Sequence, residues 1–205
     1  MKKYTILLVV FLFSFFMKAQ TSNSILLNLY GGYTFQDKVQ YDNSYAYVED
    51  GFEYGIGLEY FFMENSSLEL KYNRLDTKLP IYGPLGNQLN AGDDKGALNY
   101  ILLDYAHYFD TGSNVMPYLG AGAGITILET SGSKNETYFA WEIKGGVKIK
   151  TSSPFSINLN AYLQSMSASV GTSYYWTYYG PVGVTDFVAT YQFGLGATLS
   201  YDFSK

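Results

Sequence analysis

The sequence has no cysteine and a single histidine, His107. Without thiols there is no disulfide scaffold, no thiol nucleophile and no Cys-ligated metal. With one imidazole, any Ser-His catalysis or multi-histidine metal site has to pass through one position. Helical spacing is missing too: no window keeps apolar residues at i, i+3, i+4 and i+7. The lysines are scattered without a basic run, so nucleic acid has no electrostatic footprint to bind. Long apolar stretches are confined to the start, MKKYTILLVVFLFSFFMKAQ, where residues 4–17 form a run shorter than the roughly 20 residues a membrane-spanning helix needs. Lys2 and Lys3 before this run and Ala19 after it give the order of a secretory signal, expected to be cleaved so that residues 1–19 are lost. Loss of Lys2, Lys3 and Lys18 with no acid moves the formal charge from −5 to −8, so the exported chain, 20–205, is acidic.

What the chain does have is aromatic and period-two. It carries 22 tyrosines and 14 phenylalanines among 47% hydrophobic residues, which argues for one folded domain and against disorder. In the stretch FEYGIGLEYFF, 52–62, Phe52, Tyr54, Ile56, Leu58 and Tyr60 alternate with Glu53, Gly55, Gly57 and Glu59. Successive side chains of a strand point to opposite faces, so one face is greasy and the other charged or bare. The same alternation recurs over 25–35, 67–75, 99–109, 117–128, 138–149, 155–164 and 191–203. Eight strands of about 9–11 residues follow, the length of a tilted membrane crossing. Their connections alternate: 36–50, 76–96 and 165–190 are long and 129–137 intermediate, while 63–66, 110–116 and 150–154 are short. The expected fold is an all-β, eight-stranded antiparallel up-and-down barrel, with its short turns at one end and its longer loops at the other.

Two barrels share this pattern. In a soluble barrel the apolar phase lines a pocket; in a transmembrane barrel it meets lipid and the polar phase fills the lumen. The glycines favour the second. A solvated face has no use for them, whereas an eight-stranded lumen is so narrow that Tyr30, Tyr118 and Tyr162 need neighbours such as Gly55, Gly57, Gly120, Gly122, Gly194 and Gly196. Aromatics also crowd the strand ends, as interfacial girdles do: Tyr33, Phe35, Phe52, Tyr54 and Phe139 towards the long loops; Tyr60, Phe61, Phe62, Tyr108, Phe109, Phe155, Tyr201 and Phe203 towards the short turns.

MPYLGAGAGITIL at 116–128 and the closing YQFGLGATLSYDF at 191–203 carry a resemblance. With them, the chain resembles the small outer-membrane β-barrel family of Gram-negative bacteria, and is similar to the eight-stranded OmpX-like and OmpA-transmembrane-domain-like proteins. The resemblance implies an outer-membrane location, short periplasmic turns and longer extracellular loops. It also implies contact with outer-membrane lipid and lipopolysaccharide, a monomer, and recognition by the barrel-assembly machinery through a C-terminal signal at Tyr201 and Phe203. Ser204 and Lys205 follow the aromatic residue that usually comes last.

The candidate site is the polar phase itself. Glu53, Glu59, Glu69, Asp104 and Glu142 share it with Lys71, Lys144 and Lys148, and Asp202 falls on the same phase. Isolated charges there are costly, but opposed ones pair across a narrow interior. The same residues suit a polar plug or a narrow gated path for ions or small solutes, and the alternation leaves the pairs unspecified. No catalytic residue, cofactor or metal is expected. GAGAG at 120–124 lacks the GxGxxG spacing and starts no helix, and Asp93-Asp94 lacks the spacing of a calcium loop. His107 sits beside Tyr108 and Phe109 at the short-turn end, away from the outer leaflet where barrel enzymes acting on lipid A or peptides keep their catalytic groups. Arg74, on the lipid-facing phase near the outer end, either meets lipopolysaccharide phosphate or snorkels. SYYWTYYG at 173–180 puts five aromatics in an expected surface loop, where the cluster folds onto itself or dips into the membrane edge, or else forms a recognition patch for a surface ligand. The function expected is structural or surface-interacting, with a small porin as the alternative and a lipid-A-modifying enzyme as a third.

Overall fold

A computed structural model describes residues 23–40, 44–131, 134–177 and 180–204, with side chains of 168–188 outside the description. The expected signal at 1–19 lies outside the described residues. Twelve strands follow in order: β1 (Ile25–Thr34), β2 (Asp37–Gln40), β3 (Tyr45–Val48), β4 (Gly51–Met63), β5 (Ser66–Lys78), β6 (Ile81–Tyr82), β7 (Lys95–Tyr108), β8 (Val115–Thr130), β9 (Glu136–Lys150), β10 (Phe155–Thr177), β11 (Gly180–Ala189) and β12 (Gln192–Asp202).

Eight of them close on themselves in the order β1-β4-β5-β7-β8-β9-β10-β12, every neighbour antiparallel, with β12 pairing back to β1. These eight correspond to the eight alternating segments of the sequence. The register keeps like phases together: Leu27 lies opposite Leu58, Leu58 opposite Leu70, Leu70 opposite Leu103, and Leu103 opposite Ala123, a single row around the wall. Exposure decides which way the phases point. Leu58, Ile143 and Leu195 are about half exposed (50, 49 and 51%), whereas Glu59 and Lys144 are buried at 2 and 7%. The greasy phase is therefore the outer wall, and the chain is a transmembrane barrel with a polar lumen.

The short turns are closed by local chemistry. Between β7 and β8, Asp110 Oδ1 accepts the Gly112 N–H at 2.9 Å, and Gly112 takes the left-handed φ of +67° that a side chain disfavours. Between β9 and β10, the Thr151 hydroxyl donates to the Phe155 carbonyl at 2.6 Å. At the opposite end β2, β3 and β6 form a small separate sheet. Its Val48 packs with Leu75, Leu98, Tyr100, Leu102, Ala140 and Met166, an apolar cap over the lumen. A second apolar cluster, Ala106, Tyr108, Met116 and Tyr118 with Phe61 against it, closes the short-turn end.

Three expectations change. The connection 165–190 is no loop: β10 continues to Thr177 and pairs with β11 in a long hairpin, with a register shift between Ser169 and Thr172. Ser165, Ser167, Ser169 and Gly171 interrupt the apolar phase there, which hid the strand. Of SYYWTYYG, expected in a loop, Tyr174, Tyr175 and Trp176 lie on β10 with their side chains outside the description, and Tyr178 and Tyr179 lie outside the described residues. Phe61 and Tyr108 are not girdle residues; they share the phase of Glu59 and Asp104 and turn inward as plug. The other girdle residues at the loop end, Tyr33, Phe35, Phe52, Tyr54 and Phe139, are exposed on the wall, as are Tyr60, Phe109, Phe155 and Phe203 at the other end.

Glycines on the lumen phase make room, as the narrow bore requires. A Cβ at Gly194 would overlap the Tyr162 ring, and one at Gly57 would meet Glu69 and sit 3.1 Å from the Tyr30 ring. Two outcomes follow. Leu103→Arg, in the middle of the lipid-facing row, costs about 2–4 kcal/mol in urea titrations of the barrel in lipid vesicles. Gly194→Leu abolishes the folded, heat-modifiable band on unboiled SDS gels, while Gly86→Ala, which strains a left-handed φ of +77° but only within an open loop, keeps that band.

Candidate functional site

The barrel brings Glu53, Glu59, Glu69, Lys71, Asp104, Glu142, Lys144 and Lys148 to its axis, every one buried. At mid-height Lys144 Nζ lies 2.6 Å from Asp104 Oδ2, 3.1 Å from Glu69 Oε2 and 3.8 Å from Glu142 Oε1. Lys71 Nζ lies 2.5 Å from Glu142 Oε1 and 3.5 Å from Asp104 Oδ2. Two lysines from β5 and β9 thus share three acids from β5, β7 and β9. The Tyr30 hydroxyl donates to Glu69, and its ring lies 5.6 and 6.0 Å from the two ammonium groups.

Below this core, towards the short turns, Lys148 Nζ is 3.5 Å from Glu59 Oε2 and 4.9 Å from the ring centres of both Phe61 and Tyr108. Glu59 also accepts from the Ser67 hydroxyl at 2.6 Å and the Tyr108 hydroxyl at 2.7 Å. Asn28 Nδ2 joins the layers, donating to Glu69 at 2.6 Å and Glu59 at 3.2 Å. Above the core, Glu53 is held by neutral donors: the Thr34 hydroxyl at 2.9 Å, Asn73 Nδ2 at 2.8 Å and Gln164 Nε2 at 2.8 Å. Burying a carboxylate is tolerable only with such donors or a counter-charge.

Little space remains. A cavity of about 20 Å³, lined by Tyr30, Glu53, Lys71, Asn73, Glu142, Lys144, Asn160 and Tyr162, has room for about one water. No nucleophile-base pair faces it, and among the described residues no group of three or more histidine or acidic side chains could hold a metal.

All eight charged residues lie on the inward phase. The alternation did not supply their pairing, nor the neutral partners Asn28, Tyr30, Ser67, Asn73, Tyr108 and Gln164, whose only signal is membership of the same phase. Asp202 stays out of the network and accepts the Ser204 N–H at 2.9 Å at the turn end. His107 is on the outer wall, with Nδ1 3.0 Å from the Ser66 hydroxyl and its ring edge-on to Phe109. Arg74 is also on the wall, bound to Asp76 and Glu129. Tyr201 and Phe203 stack edge-on at 5.2 Å, and the Phe203 N–H donates to the Ile25 carbonyl, tying the closing strand to β1.

Residues 8–177 match the profile of the OprF membrane domain. No curated protein matches the chain. Among solved structures, neisserial surface protein A (NspA) from Neisseria superposes with a TM-score of 0.53 at 17% identity, covering 85% of this chain and 95% of the other. The outer membrane protein OprG from Pseudomonas aeruginosa gives 0.52 at 16% identity, covering 90% and 99%. At these identities the likeness is one of fold.

Removing one shared lysine tests the network. Lys144→Met leaves Glu69 and Asp104 short of a counter-charge and destabilises the barrel by about 3–5 kcal/mol in urea titrations. Adding Asp104→Leu restores part of the loss, because the uncompensated charge goes with it.

Proposed function

We propose that this chain, which belongs to the OprF membrane domain family, serves the outer membrane as a structural and surface-interacting barrel with a closed lumen. It is an integral outer-membrane β-barrel protein. The observation that carries the reading is the ion-pair network of Lys71, Lys144, Glu69, Asp104 and Glu142, stacked between two apolar clusters with room for about one water. To conduct, both lysines would have to leave buried acids, at a cost comparable to breaking buried pairs.

The porin reading draws on the same residues and is the second choice for that reason. A catalytic reading has less support. The single imidazole pairs with Ser66 on the lipid-facing wall, and no carboxylate bonds His107 among the described residues. Tyr201 and Phe203 present the closing strand to the barrel-assembly machinery, lipid and lipopolysaccharide surround a monomeric wall, and the loop end is free for a surface ligand.

Planar-bilayer recording tests the closed lumen. The purified barrel is expected to be silent, and Lys71→Ala/Lys144→Ala, if it keeps its heat-modifiable band, to show discrete conductance. Unitary steps from the unaltered protein would replace this reading with the porin.

A further inference from the structure

Going up the outer wall of β4, β5, β7 and β8, the side chains change character row by row. Ile56, Tyr72, Ile101 and Ile125 are cross-strand neighbours and make an apolar row. The next row is Tyr54, Arg74, Asn99 and Ile127; above it come Asp76, Ala97 and Glu129; above that, Lys78 faces Lys95. The last three rows border a cleft of about 920 Å³ at the loop end, which also takes in Thr130 and Ser131. The long loops mark this end as extracellular, so the cleft stands where hydrocarbon gives way to the headgroups of the outer leaflet.

The charges in the cleft are not equally available. Asp76 accepts from Arg74 Nε at 2.9 Å and the Tyr54 hydroxyl at 3.0 Å. Glu129 accepts from Arg74 Nη1 at 3.1 Å and Asn99 Nδ2 at 2.9 Å. Asp50 accepts from the Tyr33 hydroxyl. Of the four lining carboxylates only Glu49 has no side-chain donor among the described residues. The single arginine is thus consumed in neutralising the acids. Lys78 and Lys95, both exposed, have no ion pair among the described residues. Two like charges directly opposite on an antiparallel ladder repel one another, and an anion held between them reverses the sign of that interaction.

We infer that Lys78 and Lys95 form a binding site for the phosphate of a phosphorylated glycolipid in the outer leaflet. Lysine is a compact ammonium donor well suited to a phosphate monoester, and Thr130 and Ser131 add hydroxyls along the cleft. The place identifies the occupant. A headgroup held here continues downward past two rows in which Arg74 neutralises Asp76 and Glu129, and then as acyl chains along Ile101, Ile125 and Leu103, so phosphate and hydrocarbon are recognised on one wall, which a soluble anion cannot exploit. This deepens the expectation of lipid partners and rests on the outer-membrane location, independently of whether the lumen conducts.

The test is lipid retention by the whole barrel in nanodiscs, read by native mass spectrometry and by titration with bisphosphorylated lipid A, dephosphorylated lipid A or phosphatidylcholine. Bisphosphorylated lipid A is expected to bind roughly tenfold more tightly than its dephosphorylated form, a difference of about 1.4 kcal/mol. Lys78→Gln/Lys95→Gln loses that preference and keeps the heat-modifiable band, and Lys78→Arg/Lys95→Arg retains it. Lys95→Glu abolishes retention yet raises the urea midpoint, because a cross-strand repulsion becomes an attraction. Equal binding of the dephosphorylated lipid, or an unchanged preference in the glutamine variant, overturns the site. Displacement of the lipid by inorganic phosphate at matching concentration overturns the lipid assignment.

Discussion

Backbone polar groups have no water to bond within hydrocarbon, and the architecture follows from that constraint. A sheet that crosses a membrane must close, because an open edge leaves N–H and C=O groups unpaired. Here β12 returns to β1, and the ring of eight strands has no edge along the wall. Closure fixes two surfaces of opposite chemistry. Strand alternation then assigns every residue to one or the other, so that a shift of one residue would turn Leu58 to the axis and Glu59 to lipid.

Eight strands enclose a bore that side chains can fill, and this barrel fills it with an unusual load. Five carboxylates and three lysines share the lumen. What makes the load tolerable is distribution: Lys144 and Lys71 share Asp104 and Glu142 between them, Lys148 serves Glu59 between two aromatic rings, and Glu53 is left to amide and hydroxyl donors. The bulky members fit because bare positions face them, Gly194 against Tyr162 and Gly57 against Tyr30. Apolar clusters at both ends keep bulk water from the charged middle, so the ion pairs act in a medium less polar than the solvent outside. The same features that hold the barrel together also close it as a path.

Arg74 illustrates how a wall residue acquires a role from its neighbours. On the strand it is a lone cation at the membrane boundary. In the sheet its partners come from three strands, Asp76 beside it, Asn99 on β7 and Glu129 on β8. Its charge is spent within the wall, and the unpaired cations of the cleft are Lys78 and Lys95, which face each other two rows above it.

Much of the barrel was legible before any coordinates. Strand number, the outward phase, the bare inward glycines and all eight lumen charges follow from period-two alternation, because in a strand the identity of neighbours along the chain already fixes which face each residue occupies. That logic fails where alternation is faint. Ser165, Ser167 and Ser169 concealed the continuation of β10, and Leu98, Leu102 and Met166, apolar on the polar phase, gave no hint that they meet Val48 from a distant loop. Which lysine meets which acid was equally out of reach. Lys71 and Glu142, or Glu59 and Tyr108, are brought together by the register of strands far apart in sequence and by closure of the ring. Wherever the alternation is clean, it alone assigns a residue to the lipid or the lumen side of the wall. Who stands opposite whom across the lumen is a property of the closed ring, because facing is set by strand stagger and closure, to which a local repeat of two is blind.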